Sequence, residues 1–267
     1  MGGVHSNHLP VSAVLGVIPA RLGSERLPRK PLHPIAGRPL IEWVWLRARS
    51  IPLLDAVVVA TDSREVVDAC WAVGAEAVLT DAAHPSGTDR VAEVVASGRF
   101  EGVEVVVNVQ GDEPFITEDQ VAGAVGRVRE GWDVGTVASP VGTVEAWRDP
   151  AVVKVVRDDA GGALYFSRAP IPHPRGREPT GADLASDRYL RHIGVYAYTP
   201  EALATWVRLP PSELERTERL EQLRALAAGM AIGVAVVAGG EGGIDTPDDA
   251  RRAEERLRAM ERRNERS

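Results

Sequence analysis

Val17-Ile-Pro-Ala-Arg-Leu-Gly-Ser-Glu-Arg-Leu-Pro-Arg-Lys-Pro-Leu32 decides how this chain is read. The apolar run just before and into it, residues 13–18, predicts a buried first strand. The strand empties into a turn carrying Arg21, Gly23, Ser24, Arg26 and Lys30, and a helical pattern resumes near Pro39. Cations, a glycine and a hydroxyl beyond the carboxyl end of a strand suit an anionic ligand, a polyphosphate above all. Guanidinium forks and backbone N–H groups can there surround its oxygens.

Downstream, short apolar segments alternate with amphipathic ones. Strands are predicted at 56–60, 75–79, 103–109 and 134–139, and helices at 39–49, 64–73, 88–96 and 118–129. This alternation predicts an α/β fold with a mostly parallel, Rossmann-like sheet covered on both faces. Ligands of such sheets bind outside the carboxyl ends of the strands, which is where Arg21, Asp62 and Asp112 fall. After Pro150 the rhythm changes. Segments 152–156 and 163–166 read as a hairpin turning at 158–162, and 171–187 reads as an exposed, mobile loop rich in Pro, Gly, Arg and Asp. A strand at 189–198, a helix at 215–228 stopped by Gly229, a strand at 231–237 and a helix at 247–262 complete the chain. The organisation expected is a leader over 1–12 and one domain over 13–267, with an antiparallel insertion at about 150–200.

Composition excludes several function classes. A net charge of -7 over 267 residues argues against a nucleic-acid surface. No apolar run approaches the roughly 20 residues needed to span a bilayer. Residues 1–12 have neither the cationic start nor the apolar centre of a signal peptide, so a disordered leader and a cytoplasmic protein are expected. One cysteine, Cys70, precludes an intramolecular disulfide, and its place on a stripe with Val66, Val67 and Val73 makes it core filler. Of 31 basic residues only Lys30 and Lys154 are lysines.

Four further segments carry candidate chemistry. Val107-Asn-Val-Gln-Gly-Asp-Glu-Pro114 puts Asp112 at a strand's carboxyl edge, a natural place for a Mg2+ ligand, with Gly111 allowing a ligand close to the backbone; a plain polar turn explains it equally well. In Gly243-Ile-Asp-Thr-Pro-Asp-Asp249, Thr246 and Pro247 start a helix, and Asp245 precedes the cap without being needed by it. Ser86-Gly-Thr-Asp-Arg90 has a capping pattern, with Arg90 and the His84-Pro85 loop left over to line a base pocket. In Tyr189–Tyr198, His192, Gly194 and Tyr196 share one strand face, either a polar platform for a sugar or simply the wet side of an amphipathic strand.

Taken in order, these segments resemble the bacterial 3-deoxy-manno-octulosonate (Kdo) cytidylyltransferases. The resemblance extends to Arg26-Leu-Pro, Lys30-Pro-Leu, Val59-Ala-Thr-Asp62, Val152-Val-Lys154, Ala163-Leu-Tyr-Phe-Ser-Arg-Ala169, Tyr189-Leu-Arg-His192 and Leu220-Glu-Gln-Leu-Arg224, nearly the whole chain. It implies the nucleotide-diphospho-sugar transferase fold, Mg2+ dependence, a homodimer, and transfer of CMP from CTP to Kdo for lipopolysaccharide biosynthesis. By family position Arg21, Ser24 and Lys30 bind the triphosphate, and Arg21, Lys30 and Asp112 carry the catalysis. Ser86 and Arg90 serve the nucleotide, Gln110 lies between nucleotide and sugar, and Asp112 and Asp245 hold the metal. Arg168, His192, Tyr196, Glu221 and Gln222 bind the sugar. Four departures stand out: Arg29 where the family usually has glycine, Glu25 where a small hydroxyl residue is usual, Pro85 where glutamine is common, and Asp149 where asparagine usually precedes Pro150. The competing readings are a relative acting on another acid, such as 8-amino-Kdo or a phosphonate, and a nucleotide-binding regulator without turnover. Intact Asp112, Asp245, Arg21 and Lys30 argue against the latter.

Overall fold

The computed structural model describes residues 7–24, 26–240 and 242–264. The chain falls into two compact units. The first holds the described residues up to 103, Asn108–Ile116 and those beyond 241; the second holds Glu104–Val107 and Thr117–Gly240.

In the first unit, β1 (Asn7–Ala20) leads through a 3-10 turn at Lys30–Leu32 and a small hairpin, β2 (Pro34–Ile35) and β3 (Arg38–Pro39), into α1 (Leu40–Arg49). Then come β4 (Ala56–Thr61), α2 (Arg64–Ala72), β5 (Glu76–Leu79), α3 (Gly87–Ala96) and β6 (Phe100–Asn108), whose Glu104–Val107 stretch counts with the second unit. β1 pairs in parallel with β4 from Leu15 opposite Ala56 to Ala20 opposite Thr61, and β4 pairs in parallel with β5. Leu15, Val17, Ile18, Val58, Val59 and Ala60 are fully buried, as strands covered on both faces require. From α1, Ile41, Val44 and Ala48 recur at helical spacing and are buried.

The second unit contains α4 (Glu118–Arg129), β7 (Val134–Pro140), α5 (Val144–Arg148), β8 (Lys154–Arg157), β9 (Ala163–Ser167), α6 (Gly181–Leu184) and β10 (Leu190–Tyr198). It continues with α7 (Pro200–Trp206), α8 (Glu213–Glu218), α9 (Gln222–Ala227) and β11 (Ile232–Val236). β11 runs parallel to β7, whereas β10 runs antiparallel to β7 and β8, and β8 antiparallel to β9. α10 (Pro247–Asn264) belongs to the first unit. The fold class is thus the expected α/β one with a mostly parallel main sheet, and the expected hairpin turn stands at Asp158, whose carboxylate accepts from Gly162 N at 2.7 Å.

Several expectations need correction. β1 starts at Asn7, six residues before the predicted strand. This extension runs beside β6, where a Cβ on Gly102 (φ +83°) would lie 3.3 Å from the Leu9 and Pro10 carbonyl oxygens. Backbone proximity, which leaves no apolar signature, orders it. Residues 1–6 of the expected leader lie outside the described residues. The single helix expected at 215–228 is two, because Arg219 adopts left-handed φ 53°, ψ 50° between α8 and α9. The 171–187 loop is not wholly exposed. Thr180 and Asp183 form a capping box at α6, Arg177 and Arg188 pair with Asp183, and Leu184 packs with Val141, Trp147 and Tyr189.

Candidate active site

Lys30, Asp112 and Asp245 stand 82 and 215 residues apart in sequence, yet all three meet in the first unit. Lys30 Nζ donates to Asp245 Oδ1 at 2.9 Å and makes a shorter bond to Asp112 Oδ2. Arg26 NH2 reaches the same Asp245 oxygen at 3.0 Å. Each side chain has a local cause for its place. Arg29, at φ 54°, turns the chain so that Lys30 opens the 3-10 turn with Pro31 behind it. This left-handed backbone conformation is one that glycine adopts most readily. Arg29 also pairs its guanidinium with Glu65 at the start of α2.

Asp112 sits in the turn after β6, and its carbonyl accepts from Ile244 N at 2.9 Å, pinning the 243–245 segment beside it. Gly243 leaves the carboxylate room: a Cβ there would lie 3.1 Å from Asp112 Oδ1. At the start of α10, Asp249 accepts from Asp245 N, Thr246 N and Thr246 Oγ1, while its own N–H is capped by Thr246 Oγ1 at 3.2 Å. The cap therefore makes no demand on the Asp245 carboxylate. Gly111 also has a packing duty, since a Cβ there would sit 2.5 Å from Pro19 O. Its missing side chain lets the turn approach β1.

Charge is balanced tightly here. Burial alone would lower the Lys30 ammonium, but Asp112 and then Asp245 outweigh it and hold the pKa above its ordinary value. Glu113 beside them is pushed up to about 8, chiefly by burial and then by the Asp112 charge, with Lys30 opposing. At neutral pH it is mainly a neutral acid. Two carboxylates already sharing one cation, with oxygen donors only, fit the donor set of Mg2+, which takes one or two carboxylates and completes its shell with phosphate and water. Among the described residues there is no cluster of three or more His, Cys, Asp or Glu that could hold a metal by itself.

Arg21 is exposed just past β1, and Ser24 is half-buried in the same loop. Ser86 caps α3, accepting from Asp89 N at 3.3 Å. Arg90 is buried and committed to neighbours: Thr80 Oγ1, Asp81 O at 3.3 Å and Asp62 Oδ2 at 3.1 Å. Gln110 is half-buried two residues after β6.

The remaining candidates lie in the second unit. β10 bulges between Ile193 and Tyr196, so that Tyr196 pairs with Thr136 one residue along β7 from the partner of Ile193. Four residues of regular strand span about 13 Å; the bulge brings the His192 and Tyr196 rings to 5.3 Å. The shared face read from the sequence is present, and it is more compact than an ideal strand allows. His192 Nε2 lies 2.9 Å from Thr136 Oγ1, whose hydroxyl donates to Val195 O at 2.8 Å. The hydroxyl proton being used there, Nε2 carries the ring proton and Nδ1 is the acceptor. Burial pushes the imidazole pKa down to about 3, so the ring stays neutral. Burial, with Tyr198 and Glu221 adding to it, holds the Tyr196 phenol well above its ordinary value. Phe166 meets the His192 ring edge-on at 5.1 Å, and Trp206 packs on Tyr196 while donating to Glu221 Oε1 at 3.2 Å. Gln222 is buried at the start of α9.

Arg168 is held by its own unit: it donates from Nε to Glu218 O at 2.8 Å, from NH1 to Pro150 O at 2.9 Å and from NH2 to Arg219 O at 3.4 Å. Two of the five guanidinium N–H donors remain beyond these. Glu218 supports the arrangement, accepting from Ser167 Oγ at 2.6 Å and Arg168 N at 2.9 Å. Sequence reasoning gave Glu218 and Trp206 no role, and nothing in their local pattern marks them.

The family model described as Cytidylyltransferase matches residues 15–232. A 3-deoxy-manno-octulosonate cytidylyltransferase of Gemmatimonas aurantiaca is 52% identical over 241 residues, covering 90% of this chain and 92% of that protein. This chain belongs to the 3-deoxy-manno-octulosonate cytidylyltransferase family. Another member, from Syntrophotalea carbinolica, is 45% identical and matched over its full length. A solved CMP:2-keto-3-deoxy-manno-octonic acid synthetase complexed with CTP superposes with a TM-score of 0.84 at 39% identity, covering 94% of this chain and all of that one. The 4-diphosphocytidyl-2C-methyl-D-erythritol synthase of Anaerococcus prevotii, at 13% identity and a TM-score of 0.60, shares the fold alone. The family expected from the ordered motifs is therefore the one found.

Proposed function

We propose that this chain transfers CMP from CTP to the anomeric hydroxyl of Kdo and releases pyrophosphate. The observation that carries the reading is the meeting of Lys30, Asp112 and Asp245 at one point, in a chain 52% identical to a protein named for that reaction. The hydroxyl oxygen bonds to the α-phosphorus, the bond from that phosphorus to the oxygen bridging it to the β-phosphorus breaks so that pyrophosphate leaves with that oxygen, and the hydroxyl proton passes to solvent. Such a displacement depends chiefly on positioning and on charge stabilisation.

Arg21, Ser24 and Lys30 hold the triphosphate, with Ser86, Arg90 and Gln110 on the nucleotide side. Asp112 and Asp245 hold Mg2+, which when bound supplies Lewis-acid charge at the phosphoryl oxygens. His192, Tyr196, Glu221 and Gln222, with Gln110, meet the sugar hydroxyls, and the two remaining Arg168 donors suit the sugar carboxylate. The neutral His192 ring offers Nδ1 as an acceptor. A homodimer acting in the cytoplasm, with a product consumed in lipopolysaccharide assembly, belongs to the same proposal. Among the described residues no helix is long and apolar enough to cross a membrane.

The test is pyrophosphate release from CTP and Mg2+ with Kdo, 8-amino-Kdo, neuraminate or a small phosphonate. Kdo is expected to give the highest kcat/KM, and a chelator or either Asp112→Asn or Asp245→Asn to lower turnover on the order of 10²-fold or more. Preference for another acid would move the acceptor assignment. Release with none of them would overturn the transfer itself.

A further inference from the structure

Lys154 is completely buried at the start of β8, and its ammonium is surrounded by backbone oxygens. Nζ donates to Asp149 O at 2.8 Å, Val152 O at 2.5 Å and Arg168 O at 2.7 Å. Three donors meet three carbonyls, so the group is saturated. Burial weighs most on the ammonium, Asp149 and Glu218 favour its charge and Arg168 opposes it, while its hydrogen-bond partners among the described residues are all neutral. Burying a cation in this way is costly, and an apolar side chain of similar volume is often the more stable choice. Lysine is also a rare choice here, since 29 of the 31 basic residues are arginine. A planar guanidinium fork cannot direct three donors from one atom at three converging carbonyls; an ammonium can.

The three carbonyls lead to the acceptor cluster. Lys154 fixes the 149–152 turn and the end of β9, and Arg168 in turn donates to Pro150 O, Glu218 O and Arg219 O. The left-handed corner at Arg219 sets where α9 begins, and with it Glu221 and Gln222. Glu221 is engaged further by Trp206, which packs against Tyr196. We propose that Lys154 is a positioning residue for the acceptor side of the reaction, holding Arg168 and, through it, the 218–222 corner in place. Lys154 touches no substrate in this scheme. The inference rests on the sugar-side assignment made above for Arg168, Glu221 and Gln222.

The experiment pairs steady-state kinetics with hydrogen–deuterium exchange on Lys154→Met. The variant is expected to raise the KM for Kdo about tenfold or more while leaving the KM for CTP within about twofold. Exchange is expected to quicken in peptides covering 149–152 and 218–224 and to stay unchanged at 26–32 and 110–115. Lys154→Arg, which keeps the charge but not the donor geometry, is expected to reproduce the Kdo defect, and it serves for all measurements should the Met variant not fold. Equal rises in both KM values, an unchanged KM for Kdo, or unaltered exchange at 218–224 would overturn the proposal. Absence of Kdo turnover by the unmodified protein would instead defeat the functional reading, and the exchange comparison would still decide the role of Lys154.

Discussion

Lys30 Nζ lies 2.9 Å from Asp245 Oδ1 while also bonded to Asp112, so one ammonium serves two carboxylates that are proposed to hold a divalent ion. A metal entering that point competes with the lysine, and the lysine needs a new anionic partner when it leaves. In the proposed reaction the triphosphate would supply one. In the absence of nucleotide, Lys30→Met removes the shared competitor, leaving Asp112 without that cation and Asp245 with Arg26 alone. Mn2+ binding to the nucleotide-free variant, followed by electron paramagnetic resonance, is therefore expected to tighten by about tenfold, or about 1.4 kcal/mol. Affinity for CTP is expected to fall in the same variant. Unchanged or weaker Mn2+ binding would show that the carboxylates and the ammonium do not trade partners.

Arg29 separates backbone conformation from charge. Its φ of 54° favours glycine, while its guanidinium pairs with an exposed Glu65. An exposed pair contributes about 0–1 kcal/mol, and a non-glycine residue in the left-handed region costs about 1 kcal/mol or more. Arg29→Gly loses the pair and relieves the backbone, so its stability should lie near that of the parent. Arg29→Ala loses the pair and keeps the conformational cost. The alanine variant is expected to be about 1 kcal/mol less stable than the glycine variant in urea unfolding. Indistinguishable midpoints would mean that the loop relaxes out of the left-handed conformation.

Gly111 belongs to the packing of β1 against the Asp112 turn, with 2.5 Å between an added Cβ and Pro19 O. Backbone on both sides cannot yield as a flexible side chain would. Gly111→Ala is therefore expected to cost on the order of 1–3 kcal/mol of stability, measured without any ligand present. A variant as stable as the parent but defective only in CTP binding would show that Gly111 serves ligand approach and not packing.

Most of this fold was legible because amphipathic periods survive in short segments. The helix predicted at 118–129 is α4 without change of bounds, and its Thr117–Gln120 capping box stands in the sequence as Thr-x-x-Gln. α5 and α7 had comparable signals, Thr143 and Thr199 as caps and Pro200 at the first helical position, but they are too short to show a period. The break at Arg219 had no signal, because neither glycine nor proline marks it. At the site, charge type and strand ends pointed to Lys30, Asp112 and Asp245 separately. That one ammonium joins the two carboxylates depends on how segments up to 215 residues apart fold together. The rarity of Lys154 was visible too, but its partners are backbone carbonyls, which no sequence pattern encodes.

His192 gives the second unit a measurable dependence on pH. Its folded-state pKa is depressed from 6.5 to about 3 by burial, whereas the unfolded chain protonates it at its ordinary value. Between those values the unfolded state binds more protons, so this group's contribution to stability is complete above about pH 6.5 and declines as the pH falls toward 3. One proton of difference gives a slope of at most about 1.4 kcal/mol per pH unit. His192→Gln keeps a side chain able to reach Thr136 and does not titrate, so it lacks this slope. Urea midpoints for both proteins at pH 7 and 4.5 cancel what the other groups contribute. The parent is expected to lose about 2.5 kcal/mol more than the variant over that interval. A parallel decline in both would mean that His192 takes up a proton in the folded protein, and with it that the bulge in β10 gives water access to the ring.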